Sequence, residues 1–120
     1  MRRRLLASLL LAASFAATAA PPPATQREIA GLFAALEHSG CRFARNGTWY
    51  DAHKAREHLQ RKYDWLLRRD AIARSEDFIE LAATKSSMSG RPYLVQCPGA
   101  AAVQSGPWFR AALARVRAAH

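Results

Sequence analysis

The two cysteines, Cys41 and Cys97, constrain the fold more than any other feature of the chain. Each belongs to a short segment with the character of a strand, Cys41 to Arg45 and Pro92 to Cys97. Two cysteines in a small chain with an export signal favour a disulfide, the alternative being two buried thiols. Closing a loop of about 55 residues would stabilise the fold by roughly 4 kcal/mol. That is a large share of the roughly 5–15 kcal/mol that keeps a typical domain folded.

The disulfide also selects the direction of the two strands. In a parallel pair in register, Cys41 would sit near Tyr93, about four residues or ~13 Å from Cys97. A disulfide needs Cα atoms within about 7 Å of each other. An antiparallel pair instead puts Cys41 opposite Cys97. Phe43 then faces Val95 on the same side of the sheet, and we expect helices to cover that side because two strands alone are marginal in water.

Hydrophobic periodicity predicts four helices around this sheet. The longest covers about residues 52 to 69, while Thr48-Trp49-Tyr50 is either a strand extension or a loop. The order of elements is helix, strand, two helices, strand, helix. The predicted fold class is α+β, a small and mostly helical domain with a two-stranded antiparallel sheet and one disulfide. The predicted helix start signals are Thr25 with Glu28, Asp51, Ser75 and Ser105-Gly106-Pro107.

Residues 1–19 have the organisation of a signal peptide. Three arginines form a positive n-region, and the apolar run from Leu5 to Ala16 precedes a small-x-small cleavage signal at Ala17-Thr18-Ala19. The run is shorter than the roughly 18–20 residues that span a bilayer, so the prediction is cleavage, the alternative being an uncleaved anchor. Residues 20–24 are predicted to form a Pro-rich spacer, and residues 25–120 a single α+β domain.

The charge of the predicted mature chain favours anionic partners. Removing the three signal arginines from 18 basic residues leaves 15 against nine acidic residues, a net charge of +6. The unknown partner is then an anionic small molecule, an envelope component or a periplasmic protein. The alternative explanation of the excess of basic residues is a GC-rich genome, which enriches arginine. Because the basic residues are dispersed, we predict no nucleic-acid partner, and no later segment reaches membrane-spanning length.

The antiparallel pairing predicts that two polar motifs meet at one end of the strands. Arg45-Asn46-Gly47 leaves the first strand where the serine-rich stretch from Ser86 to Gly90 enters the second. His58 and Lys62 are one helical turn apart and share a face of the long helix. A guanidinium in such a pocket suits a carboxylate or phosphate. The predicted ligand-binding residues are Arg45, Asn46, His58, Lys62, Ser86, Ser87, Ser89 and Tyr93.

Three roles compete for His58: a structural hydrogen bond to a loop carbonyl or serine, a ligand contact, and a catalytic base. As a base it would activate Ser86, Ser87 or Ser89, with loop N–H groups stabilising an oxyanion. The chain has no G-x-S-x-G or S-x-x-K motif, no phosphate loop and no dinucleotide fingerprint. We therefore predict no catalytic residue, no metal and no cofactor. The predicted function is a non-enzymatic binding or interaction module; the alternatives are a small serine/histidine hydrolase acting on an envelope substrate and a purely structural envelope protein.

The residues that form these motifs also carry a resemblance to a known family. In this order and spacing the chain resembles the YfeK-like family of small exported bacterial proteins, a domain of unknown function, over nearly the whole mature chain. The resemblance implies a periplasmic protein of a Gram-negative bacterium, and it implies no reaction and no catalytic residues. Its carriers are Phe43-x-Arg45-Asn46-Gly47, Ala55-x-x-His58-Leu59-x-x-Lys62, Glu76-Asp77-Phe78-Ile79, Ser86-Ser87-x-Ser89-Gly90-x-Pro92-Tyr93, Gly99 and Trp108-Phe109.

Overall fold

The computed structural model describes residues 7–10 and 20–120. The predicted signal peptide and its cleavage point therefore lie outside the described residues, except for residues 7–10. Over the described ranges, no helix is both long enough and apolar enough to cross a membrane. The elements are α1 (Pro23–His38), β1 (Arg42–Arg45), β2 (Thr48–Tyr50), α2 (Ala52–Leu67), α3 (Ser75–Phe78) with a π-helical turn (Ile79–Ala83), β3 (Leu94–Gln96), β4 (Val103–Gln104) and α4 (Ser105–Ala118).

The fold is α+β as predicted, but the sheet has four antiparallel strands in the order β2-β1-β3-β4, and the prediction of two strands was wrong. β1 and β3 pair with Phe43 opposite Val95, the register that the disulfide requires. A hairpin through Asn46 and Gly47 adds β2 at one edge; both residues have left-handed φ angles, +49° and +81°, which suit such a turn. β4 has only two residues, too few for a sequence pattern to reveal it.

The Cys41–Cys97 disulfide is confirmed, and it closes a sequence separation of 56 residues. The two cysteines lie at the end of the β1–β3 pair away from the Asn46-Gly47 turn. Cys41, Phe43 and Val95 are buried on the face that the helices cover, as the alternation along the strands predicts. The bond therefore fastens the two central strands where their hydrogen bonding ends.

Phe78 lies at the centre of the core and touches an aromatic ring from each of three helices. Its ring centroid is 5.2 Å from that of Phe33 in α1, 5.5 Å from Tyr63 in α2 and 6.3 Å from Phe109 in α4. The predicted apolar stripe of α1 is buried around it. The buried stripe residues are Ile29, Leu32, Phe33 and Leu36.

Asp51 caps α2 as predicted, because its side chain accepts the backbone N–H of Lys54 at 2.8 Å. The prediction that Thr25 caps α1 was wrong: the helix begins at Pro23, a residue suited to a first helical position. Thr25 is buried in the first turn and donates from Oγ1 to the carbonyl of Ala73 at 3.0 Å. Its hydroxyl therefore joins two segments instead of closing a helix end.

The prediction that Ser75 caps α3 was also wrong. The carboxylate of Asp77 accepts the backbone N–H groups that precede the helix, those of Ala73 at 3.0 Å and Arg74 at 2.9 Å. Ser75 is buried and donates from Oγ to Glu28 Oε1 at 2.7 Å. Glu28 thus serves tertiary structure and not the predicted capping box.

Arg117 of α4 completes an ion-pair network, which we define as Glu28, Ser75, Glu76 and Arg117. Arg117 Nε donates to Glu28 Oε2 at 3.0 Å, and Nη2 reaches Glu76 of α3 at 2.5 Å. These bonds hold the pKa of Glu28 below its ordinary value, chiefly through Arg117 and then Ser75. The network joins α1, α3 and α4 through charges of opposite sign.

Candidate functional site

Four side chains from three parts of the chain meet at the turn end of the β1–β3 pair, and we call them the basic cluster: Arg45, His58, Lys62 and Tyr93. Arg45 is the last residue of β1. Tyr93 immediately precedes β3 and lies opposite Arg45 in the antiparallel pair. His58 and Lys62 follow one another by one turn of α2, whose buried Ala55 and Leu59 hold the helix against the sheet. The strand register and the helical period together produce the cluster.

Tyr93 is the fixed point of the basic cluster. Its side chain is 1% exposed, and its ring packs 5.0 Å from that of Phe43. Its backbone N–H donates to the carbonyl of Thr84 at 3.0 Å, and its own carbonyl accepts the N–H of Ser105 at 2.9 Å. The position of the Tyr93 hydroxyl is therefore set by the core, by the end of the π-helical turn and by the start of α4.

The contacts of His58 determine which of its ring nitrogens carries the proton. Nδ1 lies 2.6 Å from Nη1 of Arg45, and Nε2 lies 3.0 Å from the hydroxyl of Tyr93. A guanidinium only donates hydrogen bonds, so Nδ1 must accept and the neutral ring carries its proton on Nε2. His58 then donates that proton to the Tyr93 oxygen.

Lys62 approaches the same tyrosine oxygen from the next turn of α2. Its Nζ donates to Tyr93 Oη at 3.0 Å and to the carbonyl of Lys85 at 3.0 Å. The Tyr93 oxygen therefore accepts from both His58 and charged Lys62. Among the residues that the structure describes, no acceptor is left for the Tyr93 hydroxyl proton.

Burial and like charges set the protonation of the cluster. Burial, followed by the charges of Arg45 and Lys62, lowers the pKa of His58 from 6.5 to about 4. Burial, followed by the charge of Arg45, lowers the pKa of Lys62 from 10.5 to about 8. Burial raises the pKa of Tyr93. At neutral pH the cluster therefore holds two cations, Arg45 and Lys62, beside a neutral histidine and a neutral tyrosine.

The two cations of the basic cluster have no acidic partner within the described ranges. Among residues 7–10 and 20–120, no carboxylate oxygen lies within 4.0 Å of Arg45 or Lys62, and the ion pairs use other basic residues. The guanidinium of Arg45 instead lies 5.3 Å from the ring centroid of Tyr50, within the range of a cation–π contact. Its positive charge is oriented but not neutralised.

The serine loop, residues 86–90, lies against the Asn46-Gly47 turn, as the strand pairing predicted. Ser89 Oγ donates to Asn46 Oδ1 at 2.5 Å, and Asn46 Nδ2 donates to Ser86 Oγ at 3.3 Å. Ser86 is buried, and its oxygen also accepts the backbone N–H groups of Met88 and Ser89. Ser86 and Ser89 therefore organise the loop, whereas Ser87 is exposed.

A cavity of about 400 Å³ opens between the basic cluster and the serine loop, and we call it the polar cavity. Seven of the eight predicted ligand-binding residues line it; Ser89 does not, since its role is to hold Asn46. Three lining residues were missed because the sequence left β2 ambiguous and gave no signal for an apolar side chain in a serine-rich loop. Those three are Thr48, Tyr50 and Met88.

Among the residues that the structure describes, no hydrogen bond links the side chains that a serine hydrolase would need, although His58, Ser86 and Ser87 line the same cavity. Both ring nitrogens of His58 are engaged, by Arg45 and Tyr93, and no hydrogen bond joins His58 to the described serine loop. The predicted structural partner, a loop carbonyl or serine, is likewise replaced by these two side chains. No group of three or more His, Cys, Asp or Glu residues suited to a metal occurs in the described part of the chain.

Comparison with known proteins identifies a family but no activity. A family model described as a family of unknown function, DUF5329, matches residues 23–117, from the start of α1 to the last turn of α4. No curated protein and no solved structure matches the chain. The narrower YfeK-like resemblance and export stay predictions. Because the match covers well over half of the chain, the chain belongs to DUF5329, a family of unknown function.

Proposed function

We propose that this protein is a non-enzymatic binding module of the bacterial periplasm that takes an anionic ligand in the polar cavity. The observation that carries the proposal is the pair of half-buried cations, Arg45 and Lys62, without a carboxylate partner in the described chain. Partial removal of a cation from water is unfavourable unless a counter-charge or hydrogen-bond acceptors compensate it. Both cations already meet neutral acceptors, so what a bound anion would add is the counter-charge.

The hydrogen-bonding groups around the cavity support an acceptor-rich ligand. Arg45 uses Nη1 toward His58, which leaves guanidinium N–H groups that suit the two oxygens of a carboxylate or phosphate. The Tyr93 hydroxyl offers a proton for which the described residues provide no acceptor. Ser87 and Thr48 add hydroxyl groups at the wall. The cluster thus presents donors and positive charge to the cavity, and a neutral His58 that fixes two of the donors.

The proposed location rests on the sequence and on the disulfide. Residues 1–19 read as a signal peptide, and a disulfide persists in oxidising compartments such as the periplasm. The proposed mature protein is one domain, whose first helix, α1, begins at Pro23 within the Pro-rich segment at residues 20–24. Its partner is then a small anion, an envelope component or another periplasmic protein that presents an anionic group.

Titration with inorganic phosphate and with acetate, followed by NMR or calorimetry, tests the proposal. We expect saturable binding, and at least a tenfold loss of affinity in Arg45→Gln and in Lys62→Gln, because a hydrogen bond to a charged group contributes about 1.5–3 kcal/mol. Arg68→Gln is the matched control. Like the other two substitutions it removes one positive charge, but Arg68 follows the end of α2, is exposed and lies outside the cavity.

Two results would contradict the proposed site. One is that neither anion binds the wild-type protein; the other is that Arg68→Gln weakens binding as much as Arg45→Gln, which would indicate diffuse charge instead of a site. Turnover of an envelope ester or amide that depends on both His58 and Ser87 would favour the alternative, a small hydrolase. Folding of each variant is checked by circular dichroism.

A further inference from the structure

We infer that the anion taken by this site is an amphiphile, a single apolar chain with a carboxylate or phosphate head. The inference rests on the proposed anion site and adds the chemistry of the rest of the ligand. A second hollow of about 160 Å³, which we call the apolar hollow, is lined by Lys62, Trp65, Leu66, Leu81 and Ser87. Lys62 and Ser87 also line the polar cavity, so the two spaces adjoin.

Exposed apolar side chains are concentrated beside these two spaces. Trp65 and Leu81 in the apolar hollow are each 48% exposed, and Met88 at the polar cavity is 98% exposed. Within residues 20–120 the other large exposed apolar side chains are Trp49 and Val103, which line neither space. Clustered apolar exposure on a small domain marks an interaction site, whereas scattered single residues need no explanation.

The two half-exposed walls of the apolar hollow are held in place. The guanidinium of Arg69 lies 3.5 Å from the centroid of the Trp65 ring and also donates to the Trp65 carbonyl, which orients the ring. Leu81 lies in the π-helical turn between buried Ile79 and buried Ala82. Such turns are often found at functional sites. The turn buries Ile79 and Ala82 and leaves Leu81 exposed.

The positive charge lies at the polar cavity, and the apolar surface lies next to it in the apolar hollow. Arg45 and Lys62 place positive charge at the polar cavity, while Lys62 is the one charged residue among the described residues that line the apolar hollow. The aliphatic stem of a lysine covers apolar surface while its charged end reaches a polar region, so Lys62 is compatible with both spaces. A ligand with one charged end and one apolar chain matches this order, its head between Arg45 and Lys62 and its chain over Trp65 and Leu81.

The affinity of the protein for acetate, butyrate, hexanoate and octanoate tests the inference directly. We expect the affinity to rise by up to about fourfold for each buried methylene and then to level off, because the apolar hollow is small. Octanol, which has the chain without the charge, should bind far more weakly than octanoate. Trp65→Ala and Leu81→Ser should flatten the dependence on chain length while leaving acetate binding unchanged. Trp49→Ala is the matched control, since Trp49 is also an exposed tryptophan beside an arginine but lies outside both spaces.

The outcomes separate the inference from the proposed function. Affinity that depends on Arg45 but not on chain length would overturn the amphiphile and leave the anion site standing. Absence of binding by every carboxylate and by phosphate would overturn both. Octanol binding as tightly as octanoate would overturn the assignment of a charged head. Binding to vesicles that contain an anionic phospholipid, with no binding of free octanoate, would assign a membrane surface as the partner and overturn the inference.

Discussion

Two charged clusters join distant segments of this fold, and they differ in whether their positive charges are paired with carboxylates. In the ion-pair network, Arg117 lies between the carboxylates of Glu28 and Glu76. In the basic cluster, Arg45 and Lys62 converge on neutral side chains and meet no carboxylate in the described chain. In the ion-pair network every charge has an opposite charge as its neighbour, whereas the basic cluster has an excess of two positive charges.

The difference separates a structural role from a functional one. Opposite charges at the meeting point of three helices stabilise their packing modestly, and nothing more is needed to explain them. Burial first, and the neighbouring positive charges second, lower the pKa values of His58 and Lys62, so the accumulation of positive charge at this partly buried position opposes folding. Local departures of this kind from the rules of stability are expected at functional sites. The basic cluster is therefore the part of the molecule whose existence folding alone does not explain.

Removing the disulfide should have the largest effect and should destabilise both clusters together, because the bond restricts the unfolded chain and so stabilises the whole fold. Cys41→Ala with Cys97→Ala frees β1 from β3, and loop-closure entropy predicts a loss of about 4 kcal/mol in the free energy of unfolding. Denaturant unfolding followed by circular dichroism measures the loss. The wild-type protein in the presence of a thiol reductant is the control and should unfold at the same denaturant concentration. A loss below about 1 kcal/mol would show that the strands pair without the bond.

Acidification should weaken the basic cluster in a pH range that leaves the ion-pair network intact. The pKa of His58 is about 4 in the folded chain and 6.5 in the unfolded chain, so the unfolded state takes up this proton first as pH falls. The free energy of unfolding should therefore decrease between pH 6.5 and 4, by roughly 1–2 kcal/mol once partial exposure of the ring is discounted.

His58→Gln removes this titrating group and should flatten the decrease. Glu28 and Asp77 have lowered pKa values, so the stability they contribute is lost only as pH falls below their ordinary values and through their folded ones. Unfolding free energies measured at intervals above pH 5 therefore isolate the histidine. An equal decrease in wild type and His58→Gln over that range would contradict the assignment.

Replacing Arg117 or Arg45 by glutamine, in separate variants, should have the smallest effects on stability. These two variants compare the ion-pair network with the basic cluster most directly. Arg117→Gln should lower the free energy of unfolding by about 1 kcal/mol, because Arg117 is 47% exposed and its ion pairs are screened, and it should leave anion affinity unchanged. Arg45→Gln should change the free energy of unfolding less and lower anion affinity more. Paired denaturation and titration experiments measure both quantities. Similar effects of the two substitutions on both quantities would remove the distinction between the clusters.

The features that the sequence predicted correctly follow from one covalent bond and from regular periods. The disulfide required an antiparallel pair with Phe43 opposite Val95, and that register brings Arg45-Asn46-Gly47 to the serine loop. The strand β2 stayed ambiguous because three residues carry too little pattern. Thr25 and Ser75 were assigned to helix ends because their local sequence suits a cap; their actual partners, Ala73 and Glu28, lie about 50 residues away and leave no local signal.

The contents of the candidate site were predictable, but its internal contacts were not. Spacing along α2 placed His58 and Lys62 on one face, and the strand pairing placed Tyr93 near them. That His58 joins Arg45 to Tyr93 depends on side-chain directions that the core around Phe43 determines. The apolar hollow combines α2 with the π-helical turn, and no sequence pattern predicted that interruption of the helical period.

The attachment of Tyr93 to the core has a practical consequence for identifying the ligand. The Tyr93 ring packs against Phe43, and its backbone N–H and carbonyl are both hydrogen-bonded. Little side-chain ordering should therefore accompany binding, and the ligand should bind the folded state without changing its conformation. A compound present at about a hundred times its Kd would then stabilise the native state by roughly 2.7 kcal/mol. For a domain of this size that corresponds to a rise in Tm on the order of 10 °C. A melting-temperature screen of anionic compounds would therefore find the ligand without any assay of activity.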